Sequence, residues 1–338
     1  MKSKTTLVLL FISSFISHAQ TLKGQVFDAK TKVPLESVSV YFDNTTIGTT
    51  TNEKGEFSIS YNKAVQSDLI ISFLGYEKQY ISDYRTKEKV LIELVESAEQ
   101  LGEVVINTND GLTRKQKLKI FRAQFLGTSK YARKCKILNE DDLILKYNKK
   151  SRQLTVSAIA PLEIENKVLK YHITYELVDF EVIFNYIELF KNDFSVYSTF
   201  YSGSSFYKDE INTDDKSVLK QRQKVYEGSI QHFMRAVYNK RLKEEKYRIF
   251  KRGFGVKEAA HIFVEDTTDP NYKKVSLSGK LTVLFKGKDQ SDIIPKTEAF
   301  YVDQYGNFLP VRALFFNGEM GSMRVGDTLP LDYGISKN

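Results

Sequence analysis

Three histidines lie beyond the N-terminal segment, His172, His232 and His261. Each is a candidate base, proton carrier or metal ligand. Glu258-Ala259-Ala260-His261 spaces a carboxylate and an imidazole three residues apart, and on a helix both would share one face. Catalytic zinc takes three ligands from the protein, so this pair does not complete a site. His172 sits in an alternating, strand-like run, and His232 sits in a helical run beside Phe233. A structural hydrogen bond competes with a catalytic role for both. Gly203-Ser204-Ser205 and Gly228-Ser229 place serines after glycines, yet neither fits the Gly-x-Ser-x-Gly nucleophile turn. Gly253-Phe254-Gly255 lacks the third glycine of a dinucleotide fingerprint. Asp141-Asp142 and Asp214-Asp215 read as loop or helix-start charges. No catalytic residue, cofactor or metal is therefore assigned.

Two blocks are dense in glycine, aromatic and charged residues. One runs from Gln223 to Arg235, the other from Phe316 to Asp327 and on to Tyr333. Within them Tyr226, His232, Arg235 and Arg324 are the candidate binding residues, with core packing and surface ion pairs as their competing roles. Cys135, the only cysteine, lies between Lys134 and Lys136. That setting would lower a thiol pKa, although a small half-buried side chain explains it as well.

The elements that must position these residues begin with an address. Lys2 and Lys4 precede an apolar stretch from Leu7 to Ile16, and Ser17-His18-Ala19 supplies small residues before Gln20. This is the pattern of a secretory signal, with cleavage expected after Ala19. The apolar part is too short for a helix across ~30 Å of hydrocarbon. No later segment has eighteen apolar residues in a row, so no transmembrane helix is expected in the mature chain. The 338 residues are 41% hydrophobic and 27% charged, an ordinary globular composition. It excludes a collagen-like, disordered or polytopic membrane protein, and a lone cysteine excludes a disulfide scaffold.

Residues 20–96 have a period of two. Val38, Val40 and Phe42 alternate with polar neighbours, and so do Phe57, Ile59 and Tyr61, then Leu69, Ile71 and Phe73, then Val90, Ile92 and Leu94. Such alternation makes half-buried strands, and short, even spacing between turns suggests a sandwich. The stretch Thr49–Phe57 is expected to be a hairpin, with Gly55 at positive φ.

These residues carry a resemblance. Gly24-Gln25-Val26-Phe27-Asp28, Thr31, Pro34-Leu35, Gly48-Thr49-Thr50-Thr51-Asn52, Gly55, Phe57 and Ser72-Phe73-Leu74-Gly75-Tyr76 together resemble the carboxypeptidase regulatory-like domain. The resemblance implies a seven-stranded, transthyretin-like sandwich over about residues 21–96. It also implies an exported protein of Bacteroidetes type, in the periplasm or associated with the outer membrane. It implies no peptidase activity, because no His-x-x-Glu pair occurs. Leu101–Ile106 is similar to a short strand that follows this domain in TonB-dependent receptors. Beyond about residue 107 the chain resembles only an uncharacterised region found with such sandwiches.

Residues 97–111 read as a linker, and residues 112–338 read as a larger, basic α+β domain of unknown function. Leu118, Phe121 and Phe125 mark a helix over about 113–126, and Lys216–Lys243 a second helical region. Strands are expected at Leu143–Tyr147, Leu154–Ile159, His172–Phe180, Ser195–Tyr207, Tyr247–Phe250, Val275–Phe285, Ala299–Val302 and Val311–Phe315. Asp303–Asn307 is expected to be a hairpin turn. The net charge is −4 over residues 20–106 and +10 over 107–338, and residues 216–252 hold twelve basic side chains against three acidic ones. A solvated basic face competes here with attraction to an anionic glycan or lipid. Export and the lack of any nucleic-acid module argue against nucleic acid.

The chain is thus expected to be multidomain, an all-β sandwich followed by an α+β domain, and to act as a non-enzymatic cell-envelope binding or docking protein. Two alternatives stay open. One is an envelope hydrolase built from His232, Glu227 and a distant carboxylate. The other is a periplasmic partner of a TonB-dependent receptor.

Overall fold

The computed structural model describes residues 19–62, 65–97, 110–188, 193–211 and 215–335. Residues 1–18 of the signal peptide expected over 1–19, the strand at 101–106 and most of the linker lie outside the described residues. The chain is mostly β-sheet.

Seven strands form the N-terminal part. They are β1 (Ala19–Asp28), β2 (Ser39–Phe42), β3 (Gly48–Thr50), β4 (Glu56–Asn62), β5 (Leu69–Ser72), β6 (Gln79–Ile81) and β7 (Lys89–Leu94). One sheet has the order β4-β1-β7 and the other β3-β2-β5-β6. The alternating residues of β4 and β7 point into the shared core, where Phe57, Ile59, Tyr61, Val90, Ile92 and Leu94 are buried. Thr49–Phe57 is not a hairpin, because β3 and β4 belong to different sheets. The segment is a turn that crosses between them, closed by Gly55 N–H on the Asn52 carbonyl at 2.8 Å. Gly55 has φ +71°, and a Cβ there would stand 2.4 Å from the Val26 carbonyl. Any other residue would strain the turn and collide with β1.

The signature residues do structural work. The Asp28 carboxylate accepts the Thr31 N–H at 2.6 Å, the Thr31 hydroxyl at 2.8 Å, the Tyr76 hydroxyl at 2.9 Å and the Lys30 N–H at 3.0 Å. Chiefly through the Thr31 N–H and hydroxyl, these donors hold its pKa down to about 2.

Alternation misjudges one face. Tyr41 and Ile70 are cross-strand partners on the outside of the four-stranded sheet, yet both are buried. The rest of the chain packs there, with the Tyr41 ring 5.3 Å from that of Phe206.

The remaining described residues enclose two apolar cores. The first is built by α1 (Arg114–Phe125) on a sheet of β8 (Cys135–Ile137), β9 (Leu143–Asn148), β10 (Gln153–Ala158), β11 (Leu162–Asn166), β12 (Tyr171–Glu188) and β13 (Asp193–Asp209). Helix α1 starts at a capping box of Thr113 and Gln116 and buries Ile120, Phe121 and Phe125. β12 and β13 pair along almost their whole length.

The helical region expected at 216–243 holds two helices, α2 (Lys216–Tyr226) and α3 (Ile230–Tyr238). Gly228 at φ +80° breaks it, and the Ser229 hydroxyl restarts it by accepting the His232 N–H at 3.1 Å. The second core joins α3 to two sheets. One contains β14 (Tyr247–Lys251), β15 (Phe254–Val256), β18 (Leu281–Phe285), β19 (Asp289–Pro295) and β22 (Leu314–Asn317). The other contains β16 (Ile262–Asp266), β17 (Tyr272–Leu277), β20 (Phe300–Asp303) and β21 (Phe308–Leu309). The run Val275–Phe285, expected as one strand, is therefore two, and the strand expected from Val311 begins only at Leu314, after a 3-10 turn.

Candidate functional site

The site lies where the sandwich meets the other two cores. From the sandwich, the loop after β2 reaches across. Asn44 N–H donates to the Ser205 carbonyl at 2.7 Å, Tyr207 N–H donates to the Thr45 carbonyl at 3.0 Å, and Leu331 N–H donates to the Asn44 carbonyl at 2.7 Å. The Asp332 carboxylate accepts both the N–H and the hydroxyl of Thr46. From the other side, the turn between β20 and β21 inserts Tyr305 into the sandwich core. Gly306 in that turn has φ +80°, and a Cβ there would stand 2.5 Å from the Gln231 carbonyl.

A cavity of about 280 Å³ opens beside this junction. Its walls come from the sandwich loop (Asn44), from β12 and β13 (Tyr175, Tyr201, Tyr207), from the α2–α3 corner (Tyr226, Ser229, Gln231) and from the C-terminal segment (Met323, Asp327, Thr328). Four tyrosine rings and the hydroxyls of Ser229 and Thr328 share this surface with aliphatic side chains such as Ile230, Met323 and Leu329. The Tyr207 hydroxyl shares a 2.9 Å hydrogen bond with that of Thr328.

Tyr226, which borders the cavity, forms a cluster with His232 and Arg235. The Tyr226 and His232 rings are 4.8 Å apart. The Arg235 guanidinium lies over the Tyr226 ring and donates to its hydroxyl at 3.3 Å. It also donates to the carbonyls of Leu331 (2.7 Å), Tyr333 (2.8 Å) and Tyr305 (3.0 Å). Arg235 thus ties α3 to the inserted turn and to the C-terminal segment. His232 is buried. Its Nδ1 accepts the Gly228 N–H at 3.1 Å and faces the Tyr247 hydroxyl at 3.0 Å, while Nε2 faces Glu245 at 3.2 Å. An Nδ1 that accepts a main-chain N–H leaves the ring proton on Nε2, directed at Glu245. Burial lowers the His232 pKa, against the opposing pull of Glu245, which favours the neutral ring.

Residues 22–106 match the CarboxypepD_reg-like domain family. The seven-stranded N-terminal sandwich is that domain. No curated protein matches the chain. Among solved structures, a 9R-lipoxygenase from Cyanothece PCC8801 aligns at 13% identity over 70% of this chain and 50% of that one, with a TM-score of 0.19. The chain spans about half the length of that lipoxygenase.

The CarboxypepD_reg-like domain supplies one wall of the cavity through Asn44, and the remaining walls lie beyond residue 106. Of the four candidate residues, Tyr226, His232 and Arg235 come together. Arg324 stands apart, donating to the carbonyls of Gly321 (2.7 Å) and Met323 (2.8 Å). Around His232, the imidazole faces Glu245, and Glu227 is ion-paired with Lys286. Glu258 lies in a 3-10 turn, and His261 Nδ1 faces the Ser278 hydroxyl at 2.8 Å. Among the described residues, no group of three His, Cys, Asp or Glu side chains is placed to hold a metal ion. Burial pushes the Cys135 thiol up to about 12, the reverse of activation by its lysine neighbours.

Several basic residues turn inward. Arg222 is 2% exposed, grips Asp209 through two 2.9 Å hydrogen bonds and lies 3.7 Å over the Tyr171 ring. Lys117 is buried against Asp110. Sequence reasoning missed Tyr175, Tyr201 and Tyr207. The available signal was the inward alternation Tyr171, Ile173, Tyr175, Leu177, which reads as core until the neighbouring walls are known.

Proposed function

We propose that this is an exported cell-envelope binding protein and not a hydrolase, with a small ligand held in the cavity at the sandwich junction. The observation that carries the reading is the construction of that cavity. Aromatic and hydroxyl-bearing side chains from distant parts of the chain converge on one concave surface, the usual form of a small-ligand site. The nearest histidine supports binding over catalysis, since both ring nitrogens of His232 are engaged by Gly228, Tyr247 and Glu245. A general base needs a nitrogen within reach of substrate. The CarboxypepD_reg-like domain serves attachment, and its partner is an envelope protein, a TonB-dependent receptor being the one the resemblance implies.

The test is native mass spectrometry of the protein purified from the envelope fraction. A stoichiometric small-molecule adduct is expected, lost in Met323→Trp, where the larger ring occupies the cavity. Since the chain has no tryptophan, emission from that ring reports whether it is shielded from water. An adduct kept by a folded Met323→Trp, or turnover of an ester, peptide or glycan that His232→Ala abolishes, would overturn the reading.

A further inference from the structure

The chemistry of the cavity wall restricts what it can hold. Four tyrosines border it. Tyr207 spends its hydroxyl on Thr328, and Tyr226 accepts from Arg235 and keeps its own proton free to donate. The hydroxyls of Tyr175 and Tyr201 make no hydrogen bond among the described residues, and Tyr175 is only 6% exposed. Neither hydroxyl is sealed from solvent, so each is open to a hydrogen bond with a ligand hydroxyl.

Charge excludes other classes. Among the described residues no lysine or arginine borders the cavity, and the nearby Arg235 and Arg324 donate chiefly to main-chain carbonyls. An anion would lose its hydration with no counter-charge. Asp327, the one carboxylate among the described residues of the wall, already accepts from the Ser129 hydroxyl and the Arg324 N–H. A purely apolar chain would leave the Tyr175 and Tyr201 hydroxyls unpaired.

We infer that the cavity binds an uncharged, hydroxyl-bearing ring, a neutral glycosyl unit, with its flatter face on the tyrosine rings and its hydroxyls bonded to Tyr175, Tyr201 and Tyr226. This rests on the binding reading above and names the ligand class for the same cavity. Aromatic side chains combine an apolar face with a polar tip, which suits such a ring. The anionic glycan or lipid considered from the net charge does not fit inside, and the lysines that suggested it lie on the outer surface.

The test is calorimetric titration of the full mature chain with maltose, cellobiose and N,N′-diacetylchitobiose, alongside glucuronate and decanoate, each to about 10 mM, a range that reaches weak, millimolar binding. At least one neutral disaccharide is expected to bind. Tyr175→Phe should weaken it about tenfold, the loss of one hydrogen bond. The same variant should not lower the melting temperature without ligand, because the hydroxyl it removes has no partner. A lowered melting temperature, or unchanged affinity, overturns the inference. Binding of glucuronate or decanoate that Met323→Trp abolishes, with no neutral sugar bound, overturns the sugar class and leaves the binding reading intact. Failure of all five probes together with a native adduct does the same. Failure of all five with no native adduct defeats both.

Discussion

Two turns hold the sandwich to the rest of the protein, one given by each side, and they work by different means. The loop Asp43–Thr46 reaches out of the sandwich and engages almost wholly through directional bonds, to Ser205, Tyr207, Leu331 and Asp332. The turn Asp303–Asn307 reaches the other way and delivers a ring, Tyr305, which is 3% exposed within the sandwich core. Hydrogen bonds exchanged with water contribute little net stability but fix geometry, whereas burial of a large ring contributes much and specifies little. Of the two turns, one sets the docking register and the other supplies the greater adhesion, beside the apolar contact of Tyr41 with Phe206. Each carries a half-buried or buried aspartate, Asp43 and Asp303, that burial pushes up to about 7.

The strongest way to break this comparison is Tyr305→Ala. Truncating the plug should cost about 3–5 kcal/mol in denaturant unfolding. A loss no larger than that from the polar loop would show that the ring is not the main adhesive.

The next effect is in the pH dependence. Both aspartates have folded-state pKa values above the unfolded one, so the folded protein holds protons that the unfolded chain releases. Their contribution to stability is complete below about pH 4 and is lost as the pH rises towards 7. Asp303→Asn keeps an acceptor for the N–H groups of Tyr305 and Asn307 but cannot titrate. It should shrink the fall in stability between pH 4 and 8 by about 2–4 kcal/mol, the worth of a shift of this size with allowance for relaxation. An unchanged pH profile by thermal melting would place the titration elsewhere.

The smallest effect is expected for Thr46→Val, which preserves shape and the N–H bond to Asp332 and removes the hydroxyl bond. About 1 kcal/mol should be lost. Limited proteolysis sharpens the contrast, because loosening the register should expose the junction more than the small change in stability suggests.

Legibility differed along the chain for a physical reason. β4 and β7 were readable from sequence because one face meets the core and the other meets water, so polarity alternates along the strand. Tyr41 and Ile70 broke that pattern because a second surface covers them. Beyond residue 110 the same rule gave β9, β10 and most of β13, but it ended β12 at Phe180, although the strand continues to Glu188. It weighed the basic residues of 216–252, Arg222 among them, as a solvated face or an anion-attracting one, whereas Arg222 is buried. Arg222 and Arg235 find carbonyl partners as far away as Leu169 and Tyr305, and no local pattern reports that. Tyr226, His232 and Arg235 were legible as a group because they lie within ten residues on two consecutive helices, while Arg324 had only composition to recommend it.

The sequence alone determined the CarboxypepD_reg-like sandwich, since period-two polarity, turn glycines and the Asp28, Thr31 and Tyr76 positions are local properties of the chain. Only the tertiary structure decided that the sandwich is clasped by the rest of the protein and that tyrosines from positions 175 to 226 close on one cavity beside Asn44. Packing between distant segments set that arrangement, and the energy of such contacts depends on which surfaces meet, a quantity that residue order along a strand or helix does not encode.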